Sequence, residues 1–198
     1  MKVDKGLEEL ENGVQLMKAI PNLEEILQRA KERNIFATKM RSVIKEANEK
    51  GIKAIVKQQF ETGKIISKAG FVPILEPEVD IHARNKKEIE RILKKELLEA
   101  LKKLDSSQKV MFKLTIPEID NFYEEIAKDA NVIRVVALSG GYSREEANTR
   151  LAKNRNLIAS FSRALTEGLN VAQSDEDFNT MLSESIQSIY EASVKEEV

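Results

Sequence analysis

The segment VIRVVALSGG at residues 132–141 joins the most β-like stretch of the chain to its one pair of adjacent glycines. Its first seven residues are rich in β-branched side chains, which favour strands. The two glycines follow directly, and Ser143 with Glu146 then forms a capping box that opens a helix. The segment therefore predicts a strand, a glycine turn and a helix in succession.

The same order recurs along the chain, because short apolar runs repeatedly end in a charged or glycine-rich signature. The six runs are KVDKG (2–6), ATKMRS (37–42), VPILEPEV (72–79), MFKLTI (111–116), VVALSGG (135–141) and IASFSRA (158–164). Lys2, Lys39, Glu76 and Lys113 are each 37 residues apart, Ser139 follows after 26 residues, and Arg163 follows after 24. A βα unit takes roughly 30 residues or more, so each interval predicts one strand and one helix.

Hydrophobic periodicity and capping residues place the elements within these intervals. Strands are predicted at 35–40, 71–76, 109–116, 132–138 and 157–161, with Lys2–Asp4 as the tail of another strand and Asn12-Gly13 in a loop. Helices are predicted at 22–33, from Gly51 to a stop at Gly70, at 86–104, near 118–128, after the Ser143 cap, at 163–169, and at 176–196 behind an Asp175 cap. Such alternation implies a parallel sheet covered by helices.

An open doubly wound sheet and a barrel both fit this alternation. The open sheet usually carries a Gly-rich phosphate loop after an early strand, whereas the glycine pair here follows the fifth strand and lacks the GxGxxG spacing. In a (β/α)8 barrel, catalytic residues sit at the ends of several strands, and phosphate is commonly bound after the last two. The sequence therefore predicts an α/β fold of the TIM barrel type, in one domain over residues 1–198.

The composition excludes several classes of function. The chain has no cysteine and a single histidine, His82, which argues against disulfides, thiolate catalysis and the usual zinc ligands. A net charge of -1 argues against a nucleic-acid partner, and no membrane span or signal peptide is predicted. We therefore expect a cytoplasmic protein with no membrane contact and a mechanism without metal or cofactor, although carboxylates alone can hold Mg²⁺.

Charged residues on the predicted strands indicate amine chemistry. Side chains alternate along a strand, so Lys39 shares a face with Arg41, and Glu76 shares a face with Glu78. Lys113 lies between apolar neighbours on its own strand. A single lysine in a strand is more often an edge or snorkelling residue, but several charged residues at matched positions favour a site.

Schiff-base catalysis suits several lysines and a carboxylate. A lysine attacks a carbonyl only as the free amine, and desolvation or a nearby cation lowers the pKa of a lysine. Lys113 and Lys39 can each be the nucleophile with the other as the neighbouring cation, and the residues leave both assignments open. Glu76 is the expected acid and base for the proton transfers.

The segment Ser139-Gly140-Gly141 predicts an anion site. Its glycines expose backbone N–H groups, and the helix capped at Ser143 directs its positive end toward the same place. Arg163 can add a bidentate contact to an anion. A tight turn beside a surface arginine would have the same sequence, but together with the lysines this segment indicates a phosphorylated carbonyl substrate.

Six ordered segments closely resemble class I fructose-bisphosphate aldolase of the short bacterial type, from Lys2 to about residue 195. They are KVDKG (2–6), FATKMR (36–41), VPILEPE (72–78), FKLTIP (112–117), LSGGYSREEA (138–147) and SFSRAL (160–165). The resemblance implies reversible cleavage of fructose 1,6-bisphosphate to dihydroxyacetone phosphate and glyceraldehyde 3-phosphate, in glycolysis or gluconeogenesis.

The resemblance also assigns roles to individual residues. It implies that Lys113 forms the Schiff base and that Glu76 is the proton acceptor and donor. The remaining predicted site consists of the auxiliary lysines Lys39 and Lys2, Arg41 near the second phosphate, the phosphate-binding residues Ser139, Gly140 and Arg163, and Gly141 and Glu78 beside them. Tyr190 is left out of the site, because its local sequence does not match the tyrosine motif of the family.

The chain departs from the family at its beginning. Members carry about a hundred further N-terminal residues with two barrel strands and a catalytic aspartate, so we expect six of eight βα units here, barrel strands 3 to 8. Unpaired strand edges then invite self-association, as in a homo-oligomer. Two alternatives stay open: a catalytically impaired fragment that only binds phosphosugar, and another Schiff-base aldolase of the transaldolase type.

Overall fold

The computed structural model describes residues 1–194, in which strands and helices alternate along the chain. The strands are β1 (Val14–Gln15), β2 (Ala37–Ile44), β3 (Val72–Val79), β4 (Val110–Thr115), β5 (Val132–Leu138) and β6 (Leu157–Ala159). The helices are α1 (Leu23–Lys31), α2 (Glu49–Lys68), α3 (Lys86–Leu101), α4 (Glu124–Ala127), α5 (Arg144–Leu151) and α6 (Asp175–Val194). No helix in this part of the chain is long and apolar enough to cross a membrane.

The strands form one sheet in the order in which they occur along the chain. β2 to β6 are parallel, and each pairs with the strand that follows it. A doubly wound sheet would reverse its strand order at a switch point, and the described residues contain no such reversal. The prediction of an incomplete TIM barrel is therefore confirmed at the level of the fold.

The edge of β2 differs from the sequence prediction. The expected strand tail at Lys2–Asp4 is a single parallel bridge from Lys2 to Lys39, in which the Val3 amide donates to the Lys39 carbonyl at 3.0 Å. The expected loop at Asn12-Gly13 is instead the tight turn of a hairpin, with φ of 50° and 70°. β1 leaves this hairpin and pairs antiparallel with the end of β2. Asn-Gly favours such a turn because both residues tolerate positive φ.

Two predictions in the last third of the chain are wrong. Residues 163–169, expected to be helical, form turns that include Gly168 at φ 87°. Asp175, expected to cap the last helix, is already its first residue, and the Ser174 hydroxyl accepts from the Asp177 amide at 3.1 Å in the capping position. Positions 195 and 196 of the predicted last helix lie outside the described residues.

One face of the sheet packs against the helices. Met40, Leu75, Phe112 and Val135 point to this face and are fully buried. They belong to a core that includes the apolar stripes of α2 and α3, namely Ile52, Ile55, Phe60, Ile66, Ile89, Leu93, Leu97 and Leu101. Side chains alternate along a strand, so the residues next to these buried ones in sequence lie on the opposite face of the sheet. They include the charged residues of β2, β3 and β4.

Tyr123, next to α4, is a buried residue whose hydroxyl lowers the stability of the fold. Among the described residues no group hydrogen-bonds its hydroxyl, and an unsatisfied buried hydroxyl costs about 1–3 kcal/mol. Burial, and then the charge of Glu90, raise the pKa of Tyr123 well above 10.0. Above pH 10 the folded protein therefore keeps the hydroxyl proton of Tyr123, whereas the unfolded chain loses it. The contribution of this protonation to stability is present below about pH 10 and is lost as the pH rises above it.

We expect Tyr123→Phe to raise the free energy of unfolding at pH 7 by about 1 kcal/mol. Above pH 10 the variant is expected to lose stability less steeply than the wild type, by up to about 1.4 kcal/mol per pH unit. Urea unfolding at pH 7 and between pH 10 and 11 measures both effects. Tyr190→Phe is the matched control, because Tyr190 is exposed on α6. Destabilisation by Tyr123→Phe at pH 7 would mean that the hydroxyl has a stabilising partner.

Candidate active site

Three neighbouring strands bring charged side chains to the face of the sheet that is turned away from the helices. Lys39 lies on β2, Glu76 on β3 and Lys113 on β4. The charged residues were expected at strand ends, but each strand continues beyond its residue, to Ile44, Val79 and Thr115. The strands can continue because the charged groups pair with one another on one face while apolar side chains are buried on the other.

Glu76 lies between two ammonium groups. Its Oε2 is 2.6 Å from Lys39 Nζ and its Oε1 is 3.4 Å from Lys113 Nζ. The Glu76 side chain is 5% exposed, and those of Lys39 and Lys113 are 24% and 19% exposed. The carboxylate is thus largely removed from water, while both amines remain partly exposed to solvent. Such a carboxylate can exchange a proton with either neighbouring nitrogen.

Asp4 extends this cluster and is a residue that the sequence interpretation missed. Its Oδ1 is 3.3 Å from Lys2 Nζ and its Oδ2 is 3.7 Å from Lys39 Nζ, with the side chain 3% exposed. The signal for it was present, because Asp4 follows Lys2 by two positions and period-two alternation puts both side chains on one face. The structure thus brings together all three predicted lysines and two carboxylates.

Arg41 and Glu78 form a second pair further along β2 and β3. Arg41 Nε donates to Glu78 Oε2 at 2.5 Å. This hydrogen bond raises the pKa of Arg41 above its usual value, and the negative charges of Glu78, Glu76 and Asp4 act in the same direction. The carboxylates of this face are therefore paired with cations of the protein itself, and Arg41 keeps further N–H donors for an anion.

The glycine turn and Arg163 lie close together, as predicted. Gly140 and Gly141 have φ of 67° and 123°, and Ser139 before them is buried. A Cβ on Gly141 would lie 4.0 Å from Arg163 Nη2. The Ser143 hydroxyl accepts from the Glu146 amide at 3.2 Å, which confirms the predicted cap of α5.

The two groups of residues follow different strands of one sheet. The lysine cluster lies on β2, β3 and β4, whereas the glycine turn follows β5 and Arg163 follows β6. Arg41 lies on β2, the first strand of the lysine cluster, and Arg163 lies beyond β6, so the strands β3 to β6 separate the two arginines in strand order. An elongated substrate with an anionic group at each end would match this order.

The Gly140 position leaves no room for a side chain. A Cβ there would lie 2.5 Å from Ile81 Cγ2, and its φ of 67° is left-handed. We expect Gly140→Ala to lower the free energy of unfolding by about 2–4 kcal/mol, from backbone strain and overpacking together. We also expect weaker binding of inorganic phosphate, because the turn must move to relieve the contact. Urea unfolding and phosphate titration measure the two effects.

Gly70→Ala is the control for this variant. Gly70 also has positive φ, at 91°, but a Cβ there would meet nothing within 4 Å. Gly70→Ala should lower the free energy of unfolding only by the backbone strain, about 1–2 kcal/mol, and should leave phosphate binding unchanged. The double variant Gly140→Ala with Ile81→Ala should recover the part of the lost stability that is due to the contact between the new Cβ and Ile81. Equal costs for the two glycine variants would contradict the packing argument.

The chain is similar to known proteins in both sequence and structure. The chain is 60% identical over 194 residues to a protein of Clostridium acetobutylicum, 58% identical over 194 residues to one of Synechocystis sp., and 57% identical over 195 residues to one of Porphyromonas gingivalis. Each of these relatives is named fructose-bisphosphate aldolase class 1, and each match covers 98% of the chain. The chain spans 65–66% of the length of these relatives. No family model matches the chain.

A solved structure has the same fold. It is the fructose-bisphosphate aldolase of Plasmodium falciparum in a ternary complex with TRAP and a small-molecule inhibitor, with a TM-score of 0.73 and 20% sequence identity. The match covers 96% of this chain and 67% of that one. At this identity the structural likeness supports the barrel fold alone, whereas the sequence identities of 57–60% establish the relationship. The chain belongs to the class 1 fructose-bisphosphate aldolase family.

Proposed function

We propose that the chain carries out the reversible aldol cleavage of fructose 1,6-bisphosphate through a Schiff base on Lys113. The observation that carries the proposal is the position of Glu76, whose two carboxylate oxygens contact Lys39 and Lys113. The names of the relatives agree with this reaction. We place the reaction in glycolysis or gluconeogenesis, in the cytoplasm.

Glu76 serves every proton transfer in the proposed mechanism. It takes a proton from the Lys113 ammonium, and the free amine attacks the C2 ketone to form a carbinolamine. Glu76 returns the proton to the carbinolamine hydroxyl, water leaves, and an iminium ion remains. Lys39, at 2.6 Å from the carboxylate, holds the Glu76 side chain in place between transfers.

Carbon–carbon cleavage follows from the iminium ion as an electron sink. Glu76 removes the proton of the C4 hydroxyl, the electrons of the C3–C4 bond move toward the iminium nitrogen, and glyceraldehyde 3-phosphate leaves. Glu76 gives the proton that it has taken to C3 of the remaining enamine, and water hydrolyses the resulting iminium ion to release dihydroxyacetone phosphate and the Lys113 ammonium. Lys113 and Glu76 thus return to their starting states, and no metal or cofactor enters the sequence of steps.

The two phosphates of the substrate are assigned to the two ends of the site. The glycine turn supplies backbone N–H groups to one phosphate, with Ser139 and Arg163 beside it. Arg41 binds the other phosphate while Glu78 orients its guanidinium. Lys2 is exposed at the rim of the cluster, where it attracts the anionic bisphosphate substrate.

Borohydride trapping tests the proposal. The chain is incubated with dihydroxyacetone phosphate and sodium borohydride, and the modified peptide is identified by mass spectrometry, in parallel with a cleavage assay on fructose 1,6-bisphosphate. The proposal expects a secondary amine on Lys113 together with cleavage. An adduct without cleavage would indicate an impaired enzyme, and binding without an adduct would indicate a phosphosugar-binding protein. Cleavage of monophosphorylated ketoses alone would favour the transaldolase type.

A further inference from the structure

A buried ion pair lies on α3, outside the proposed site. Lys86 and Glu90 are one helical turn apart, and Lys86 Nζ donates to Glu90 Oε1 at 2.5 Å. Both side chains are 1% exposed. The sequence interpretation placed them in a helix rich in exposed lysine and glutamate, and nothing in that pattern distinguishes this pair from its neighbours.

Stability does not account for the pair. Burying two charges costs more than burying aliphatic side chains of the same size, and replacing such a pair by apolar residues is often neutral or stabilising. Lys86 is the first residue of its helix, where the helix dipole disfavours a cation. Burial also raises the pKa of Glu90 above its usual value, against the opposing effect of Lys86.

The pair holds the backbone that leaves β4. Lys86 Nζ donates to the Ile116 carbonyl at 2.9 Å, and Glu90 Oε2 accepts from the Glu118 amide at 3.1 Å. Pro117 between them has no N–H group. The polar backbone groups on both sides of this proline are therefore bound by one pair of side chains from α3.

This backbone follows directly after the proposed nucleophile. β4 ends at Thr115, whose Oγ1 accepts from the Val79 amide at 2.9 Å and donates to the Val79 carbonyl at 2.8 Å. These bonds join the ends of β3 and β4, the strands that carry Glu76 and Lys113. The α3 pair fixes the chain immediately beyond this joint, three to five residues after Lys113.

We propose that Lys86 and Glu90 are positioning residues that fix the connection after β4 and thereby hold Lys113 in register with Glu76. This inference rests on the proposed Schiff-base function of Lys113. The pair touches neither substrate nor reacting atoms, and it acts only through the Ile116 and Glu118 backbone.

The test is the double variant Lys86→Met with Glu90→Leu, because each single change leaves one buried charge unpaired and unfolding would obscure the result. We expect an unfolding midpoint in urea that is equal to or higher than that of the wild type. We expect hydrogen exchange of the Glu118 amide to be at least about tenfold faster, since its acceptor is gone. We expect the rate of borohydride-trapped adduct formation at saturating dihydroxyacetone phosphate to fall about 10–100-fold, with unchanged half-saturation.

A matched control comes from the same helix. Lys94 on α3 pairs with Glu125 on α4 at 3.0 Å with partly exposed side chains, so Lys94→Met with Glu125→Leu removes an equal charge pair. It should leave adduct formation and Glu118 exchange unchanged. A stable Lys86→Met, Glu90→Leu variant with the wild-type rate of adduct formation would overturn the inference, because a purely structural pair predicts that result.

A failure of the proposed Schiff-base function can be distinguished from a failure of the positioning role. If the wild type forms no adduct, the Schiff-base proposal is wrong, and exchange at Lys113, Thr115 and Glu118 then decides the positioning role alone. Faster exchange at all three amides in the double variant would support it. Wild-type exchange at these amides would overturn it.

Discussion

Lys113→Met is expected to lower the borohydride-trapped adduct with dihydroxyacetone phosphate to below about 1% of the wild-type amount, because the variant lacks the amine that attacks the ketone. Methionine is unbranched and only one atom shorter than lysine, so packing against β3 and β5 should change little. Both Lys113 and Lys39 contact Glu76, and their contacts differ. Lys39 lies against two carboxylates, at 2.6 and 3.7 Å, which suits a group that stays in place. Lys113 has one longer contact, at 3.4 Å, and is the freer group to react.

Two control variants separate the nucleophile from the neighbouring cation. Lys39→Met should slow adduct formation but leave the adduct on the peptide that contains Lys113. Lys109→Met, which removes an exposed lysine bonded to the Ala130 carbonyl, should leave the rate unchanged. An undiminished adduct in Lys113→Met would show that the nucleophile is misassigned, and an adduct that maps to Lys39 in the wild type would reverse the two roles.

Strand periodicity predicts much of the site. The 37-residue spacing of Lys39, Glu76 and Lys113 places each residue on its own strand, in a sheet whose strands follow the order of the chain. Alternation along each strand then puts their side chains on one face, because apolar residues such as Phe112 must occupy the face covered by helices. Local sequence therefore determines both the strand and the face. The register alone does not give the ion pairs, because Arg41 lies opposite Glu76 on β3, whereas Glu76 contacts Lys39 and Arg41 contacts Glu78.

Contacts between distant residues are harder to predict. Asp4 is buried and lies 3.7 Å from Lys39, which is 35 positions away, and no local pattern indicates that contact. The pair Lys86 and Glu90 has the spacing of an ordinary exposed helical ion pair, yet both side chains are buried under the β4 connection. Residues 163–169 show a helical composition but form turns that include Gly168 at φ 87°. For Asp4 and for the pair Lys86 and Glu90, contacts with distant residues decide the position of the side chain.

Glu76→Gln should show the second large effect. The amide has the shape of the carboxylate and can still hydrogen-bond, but it can neither accept a proton from Lys113 nor return one to a carbinolamine hydroxyl. We expect cleavage of fructose 1,6-bisphosphate, and the first-order rate of trapped adduct formation, to fall about 10²–10⁴-fold. The half-saturating substrate concentration should change little, because Glu76 is not assigned to either phosphate. Rapid-quench borohydride trapping over a range of substrate concentrations measures both quantities.

Glu78→Gln is the matched control for Glu76→Gln, because both carboxylates lie on the same face of β3 and each is paired with a cation. Glu78 contacts Arg41 rather than a lysine, so its loss should weaken substrate binding through a less well oriented guanidinium and leave the saturated rate near that of the wild type. A fall in the saturated rate as large as that of Glu76→Gln would assign the proton transfers to both carboxylates. Retention of more than about a tenth of the saturated rate by Glu76→Gln would remove Glu76 from the mechanism altogether, since general acid–base catalysis contributes at least about 100-fold.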